Sequence, residues 1–225
     1  MIELAEQFGS GLETIDFAEN RENDKMKLVG VYAPNSLEYL IQDISCIIYG
    51  FVTVPIYNTL GVEAIKFSLN QTKISTCIIS SKHAAGIIEQ REDFPHLKNL
   101  IIVDFANWQE SPEMGKFQIY DFYEICKKGE QKMKEWADLE KDQLYCISYT
   151  SGTTGIPKGA MSSQQNIAVV LEDLAEKTLM KESDVHISYL PMAHIFERIL
   201  YLLVCYSKSK LVFISGSVKN IKEDL

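Results

Sequence analysis

The feature that most constrains how this chain can fold is a repeated alternation of short apolar runs with longer amphipathic segments. Leu28-Val29-Gly30-Val31-Tyr32-Ala33 is a continuous apolar run stopped at Pro34, and reads as a strand buried on both faces. Asn35, with Glu38 three residues on, reads as the cap of a helix. Leu37, Leu40, Ile41, Ile44, Ile47 and Ile48 then recur at helical spacing. Further strands are expected at 52–54, 76–79 and 100–103, with helices at 62–71 and 82–90. Residues 105–142 are irregular and read as a surface excursion with a short helix near 120–128. Order returns with a strand at 144–149. Ser162 and Gln165 predict a second capping box opening a helix. A strand at 186–190, a helix at 194–205 and a strand at 211–214 complete the pattern. Alternation of this kind predicts an α/β fold, a mainly parallel sheet flanked by helices.

Composition excludes several functions. The net charge is -9, and much of the acid lies in residues 1–24, where Glu3, Glu6, Glu13, Asp16, Glu19, Glu22 and Asp24 face Arg21 alone. Such a segment reads as a solvated surface, and an acidic chain is not drawn to a nucleic-acid backbone. The five cysteines show no CxxC spacing and the four histidines no HExxH pattern. No residue is therefore a candidate metal ligand, and no disulfide framework is expected, which fits an intracellular, reducing compartment. The most apolar stretch, 44–57, is broken by Gly50 and Pro55 and is too short to span a membrane.

The chemistry is concentrated after the strand at 144–149, where ligands of parallel sheets gather. Tyr149-Thr150-Ser151-Gly152-Thr153-Thr154-Gly155-Ile156-Pro157-Lys158-Gly159 offers three glycines, the hydroxyls of Thr150, Ser151, Thr153 and Thr154, and one cation with no acid among them. Donors and a lysine of this kind suit an anion such as a phosphate chain. The loop is not a Walker A sequence, which would need Gly at Pro157 and Ser or Thr at Gly159.

These eleven residues resemble the phosphate loop of the adenylate-forming enzymes. Tyr189-Leu190-Pro191-Met192-Ala193-His194-Ile195-Phe196-Glu197-Arg198 is similar to a motif of the long-chain fatty acyl-CoA synthetases in that superfamily. So are Asn35 to Tyr39, Val54 to Gly61, and Glu63-Ala64-Ile65; the resemblance runs from about Leu12 to Leu225. It implies that Thr150, Ser151, Gly152, Thr153, Thr154, Gly155 and Lys158 bind the β- and γ-phosphates of ATP. Lys158 and His194 are the implied catalytic residues, His194 bordering the carboxylate of the acyl group. Glu197 and Arg198 are expected to anchor their helix. One departure stands inside the match: Gln164 occupies a position usually held by histidine, in Ser163-Gln164-Gln165-Asn166.

The resemblance further implies a fatty acid substrate, Mg2+, and CoA bound outside these residues. The family's later motifs for magnesium and ribose, and its lid lysine, do not occur between Met1 and Leu225. Residues 1–225 are thus expected to form part of the large N-terminal domain, inactive alone, without its C-terminal part or lid. Three readings follow: a segment of a long-chain fatty acid–CoA ligase, a non-catalytic fragment serving as a structural or interaction subunit, or another adenylate-forming enzyme. The residues from Leu190 to Arg198 argue against the third. Contact with a membrane surface, on an organelle or in a mitochondrion, and a partner protein over an open face remain compatible with the first two.

Overall fold

The computed structural model describes residues 1–18, 26–57, 61–109, 115–150 and 157–214. In chain order the elements are α1 (Ile2–Leu12), β1 (Leu28–Tyr32), α2 (Leu37–Tyr49), β2 (Val52–Pro55), α3 (Val62–Gln71), β3 (Thr76–Ile79), α4 (Ser81–Glu89), β4 (Asn99–Ile102), β5 (Gln118–Asp121), α5 (Phe122–Glu130), β6 (Leu144–Thr150), β7 (Lys158–Ser163), α6 (Gln164–Thr178), β8 (Val185–Ser188), α7 (Ile195–Ser207) and β9 (Lys210–Phe213). Seven strands form one sheet in the order β5-β4-β3-β1-β2-β6-β7. Its neighbours are parallel except β6 and β7. β8 and β9 pair in parallel as a separate two-stranded sheet, connected through α7.

The continuous apolar runs are explained by burial on both faces of the large sheet. Val29, Val31, Ile78 and Ile101 point toward one core, shared with side chains of α1, α2 and α5. Their sequence neighbours Leu28, Cys77, Ile79, Leu100 and Ile102 point the other way, into a core shared with α3 and α4. The two-residue period of a strand makes this division, and helices on both faces leave no side for polar residues.

The structure departs from the sequence-based expectation at the edges. β5 and β7 are strands that no apolar run announces. Each borders the sheet, and the β7 sequence Lys-Gly-Ala-Met-Ser-Ser is largely exposed, so a strand there needs no hydrophobic signature. The acidic N-terminal stretch is more than a solvated surface. α1 buries Ala5, Phe8 and Leu12, and Phe8 stacks on Phe122 of α5 with ring centroids 4.2 Å apart. Residues 105–142 likewise contribute Phe122, Ile125 and Cys126 to the core. Glycines let α1 and α5 meet: a Cβ on Gly129 would lie 1.7 Å from the Gln7 carbonyl oxygen, and one on Gly11 2.0 Å from that of Ile125.

Both expected helix caps are displaced by one residue. Ser36, not Asn35, caps α2, its hydroxyl accepting from the Tyr39 amide at 3.2 Å. The capping box of α6 is Ser163 with Asn166 rather than Ser162 with Gln165. The cap is the residue whose extended backbone turns its side-chain oxygen back onto the first turn, and at Ser163 β7 has just ended.

Candidate functional site

The strand β6 carries the first part of the site. Antiparallel pairing sets Thr150, its last residue, directly opposite Lys158, the first of β7. β6 ends at Thr150 and β7 begins at Lys158, opposite the carboxyl end of β6. Ser151, Gly152, Thr153, Thr154 and Gly155 lie outside the described residues. Lys158 and Gly159, expected to belong to the loop, are instead strand residues. Gly159 has a packing reason to be glycine: a Cβ there would sit 2.8 Å from Ile147 Cγ2 and 3.3 Å from Tyr149 Cζ.

Register determines which face these side chains occupy. Thr53 of β2 pairs with Cys146 of β6. Thr150 lies four residues beyond Cys146, hence on the same face, and directly paired residues such as Thr150 and Lys158 also share a face. Tyr149, immediately before Thr150, faces the opposite side. There its hydroxyl donates to Gln71 Oε1 at 2.6 Å and its ring meets Phe67 edge-on at 6.3 Å. A cleft of about 580 Å³ opens on that opposite side, and Lys158 lines it together with Met26, Phe67, Tyr149 and Met161. Lys158 is exposed, and among the described residues no carboxylate pairs with it.

The second part of the site comes from the start of α7, which packs on the Thr53 face. His194 is the N-cap of α7: its Nδ1 accepts from the Phe196 amide at 3.2 Å, and its carbonyl accepts from the Arg198 amide. An Nδ1 that accepts leaves the proton of the neutral ring on Nε2, so the outward nitrogen is a donor. The ring is exposed and lies edge-on to Tyr57, centroids 6.4 Å apart. Tyr57 follows the carboxyl end of β2, the strand beside β6. Burial raises the Tyr57 pKa, opposed by the positive charge of Arg198. The structure therefore brings Thr150, Lys158 and His194 to the carboxyl ends of two adjacent strands.

Beneath His194, Arg198 is fully buried. Its Nε donates to Asp43 Oδ2 at 3.1 Å, and Nη2 donates to Asp43 Oδ1 and, at 2.6 Å, to Thr53 Oγ1. Its guanidinium lies over the Tyr145 ring, 4.1 Å from the centroid. The hydroxyls of Tyr145 and Tyr201 both donate to Asp43 Oδ2. Burial would lower the Arg198 pKa, but the Asp43 carboxylate more than offsets it, and the guanidinium stays cationic. Burial, reinforced by Asp43, pushes the Tyr145 hydroxyl well above its ordinary value. Glu197, also fully buried, accepts from His186 Nε2 of β8 at 3.2 Å. Glu197 and Arg198 thus anchor α7, one to the small sheet and one to the large.

Sequence reasoning missed Asp43 and Tyr57. Asp43 left a signal: a carboxylate inside the apolar segment Leu40-Ile41-Gln42-Asp43-Ile44 has to find a buried partner. Tyr57 left none. Gln164, at the departure from the motif, begins α6 with its amide bonded to the Gln143 carbonyl at 2.8 Å.

Residues 2–225 match the family model for AMP-binding enzymes. Long-chain-fatty-acid–CoA ligase 6 of Rattus norvegicus is 31% identical over 231 residues, covering 98% of this chain and 32% of that one. Long chain acyl-CoA synthetase 3 of Arabidopsis thaliana is 33% identical over 206 residues, 87% of this chain and 31% of that one. The chain spans about a third of the length of these relatives. Among solved structures, the A-PCP didomain of carboxylic acid reductase from Segniliparus rugosus, in complex with AMP, superposes with a TM-score of 0.80. It is 20% identical, and the match covers 99% of this chain and 33% of that one.

Proposed function

The chain belongs to the AMP-binding enzyme family, and from that premise we propose that it is the phosphate-binding and carboxylate-binding segment of a long-chain fatty acid–CoA ligase. In the first half-reaction a fatty carboxylate oxygen bonds to the α-phosphorus of ATP. The bond from that phosphorus to the bridging oxygen breaks, and pyrophosphate leaves. In the second, the sulfur of CoA attacks the acyl carbonyl and AMP leaves. One observation carries the reading: a lysine with no carboxylate partner among the described residues and an exposed histidine stand at the carboxyl ends of the adjacent strands β6 and β2.

The residues suit these roles chemically. Lys158 has no carboxylate partner among the described residues. Its charge is available to the outer phosphates and to the charge that grows on departing pyrophosphate. The hydroxyl of Thr150, with Ser151, Gly152, Thr153, Thr154 and Gly155, would complete the phosphate contacts. His194 would donate from Nε2 to the acyl carboxylate and orient it for attack. Mg2+ would neutralise phosphate charge, and it and CoA would be held by residues outside this chain. A reducing intracellular setting, at an organelle surface or in a mitochondrion, fits the reading. Among the described residues no helix is long and apolar enough to cross a membrane.

The test is ATP–pyrophosphate exchange by the full-length protein carrying these residues, with Mg2+ and a long-chain fatty acid. Lys158→Ala should slow exchange by roughly one to three powers of ten, the scale of one lost charged transition-state contact. Unchanged exchange in that variant removes Lys158 from the mechanism. A second reading, a non-catalytic subunit covered by a partner protein, is favoured by α6, where Val169 is 56% and Val170 41% exposed. No exchange by the full-length protein would select it.

A further inference from the structure

Asn35 is expected to cap α2, yet Ser36 does so and leaves the Asn35 amide free for another task. Its Nδ2 donates to Ser188 Oγ at 2.9 Å and to the Leu190 carbonyl at 2.6 Å, and its Oδ1 accepts from the Met192 amide at 2.7 Å. The partners fix the orientation of the amide, because a backbone carbonyl can only accept and a backbone N–H can only donate. Both amide hydrogens and the carbonyl are thus engaged with a segment more than 150 residues away in sequence.

That segment links β8 to His194. The His194 amide closes a turn onto the Pro191 carbonyl at 2.8 Å, with Met192 and Ala193 buried inside it. One helical turn past His194, Arg198 is held by Asp43 of α2. His194 is therefore bracketed by two ties to the α2 region, Asn35 before it and Asp43 after it. The Asp43 tie fixes where α7 lies. The Asn35 tie fixes the chain that enters α7, and with it the direction in which the exposed His194 ring points.

We infer that Asn35 is a positioning residue for the carboxylate side of the site: its amide clasps the 188–192 segment onto the start of α2 and so holds His194 in its working orientation. This rests on the role given to His194 above. A plain structural tie would also hold the two sheets together, so the test must separate stability from orientation.

In the full-length protein, Asn35→Ala, Asn35→Asp, His194→Ala and the double variant Asn35→Ala/His194→Ala would be compared. Asn35→Asp keeps the shape and the acceptor for Met192 but turns a carboxylate oxygen toward the Leu190 carbonyl. Two readouts are needed: hydrogen exchange along the chain, and ATP–pyrophosphate exchange as a function of fatty acid and of ATP. Both Asn35 variants should speed hydrogen exchange at 188–198 while leaving β1 and β3 unchanged. Fatty-acid-dependent kcat/KM should fall roughly ten- to a hundredfold, the cost of a small misplacement, with the KM for ATP little changed. The double variant should be no slower than His194→Ala, since Asn35 then has nothing left to position.

Unchanged hydrogen exchange at 188–198 would show that there is no clasp. Altered hydrogen exchange with additive kinetic losses would make Asn35 structural and overturn the inference. So would loss of the fold in both Asn35 variants. If His194→Ala leaves fatty acid activation intact, the reading of His194 falls first and the inference falls with it. That outcome is distinguishable because it needs no Asn35 variant.

Discussion

Arg198 keeps its charge in a place without water because the neighbouring groups of α2, β2 and β6 complement it. Asp43 supplies the negative charge, Thr53 an acceptor and Tyr145 the face of a ring. A buried pair of this kind contributes little over an apolar pair of the same volume, but breaking it leaves one charge stranded. Asp43→Ala should therefore destabilise the protein by about 3–5 kcal/mol in denaturant titration. Asp43→Leu combined with Arg198→Met should recover most of that loss. A double variant as unstable as Asp43→Ala would show that specific hydrogen bonds, not the stranded charge, set the penalty. At this scale the sequence was readable in part. Thr150, Lys158 and His194 could be named from motifs, whereas their placement near one end of the sheet depends on the antiparallel pairing of β6 with β7, whose polar residues give no strand signal. Asn35 was legible as a residue with a task but not as a clasp, since its partners lie at 188–192.

Elements buried on both faces could be read almost residue by residue. β1 through β4 and the helices between them are mostly apolar where they pack together, and their bounds fall close to the expected ones. α1 was missed and α5 was expected only as a short surface helix near 120–128, because their contact combines the Phe8–Phe122 stack with close approaches at glycines, which carry no hydrophobic signature. With a Cβ on Gly129 placed 1.7 Å from the Gln7 carbonyl oxygen, Gly129→Ala has to push the two helices apart. We expect a loss of roughly 1–3 kcal/mol, typical of overpacking, measured as a lower denaturation midpoint. A neutral result would mean that α1 can slide on α5 without loss. The same substitution at Gly86 of α4, where a Cβ meets nothing within 4 Å, is the control.

The whole molecule consists of a large sheet covered on both faces and a smaller β8–β9 pair attached through α7. Val169 and Val170 of α6 are exposed, and a groove of about 660 Å³ lined by α1, α2, α7 and β9 is apolar and open. Since the chain spans about a third of the ligases it resembles, contacts to ribose, magnesium and CoA would have to come from elsewhere. Each missing charged or hydrogen-bonding contact removes roughly a few kcal/mol of transition-state stabilisation. The 225 residues purified by themselves should thus release no pyrophosphate from ATP, Mg2+ and a long-chain fatty acid. Turnover above that of a Lys158→Ala control would show that this segment holds a sufficient site.

The strand order also has a consequence in time. β2 sits next to β6 in the sheet, yet β3, β4 and β5 intervene in the chain. A ribosome making this protein at typical speed needs on the order of ten seconds to pass from β2 to β6. During that interval β1 to β5 can already pair, while one edge of β2, with the sequence Val-Thr-Val-Pro, has no neighbour. A newly made apolar edge of this kind invites strands from other chains. The arrival of β6 closes that edge and, in the same event, brings Thr150 alongside the carboxyl end of β2. Closing that edge and placing the first residue of the candidate site are therefore one step of folding, with Lys158 of β7 and His194 following later in the chain, and a chain that stalls before it keeps an edge prone to aggregate.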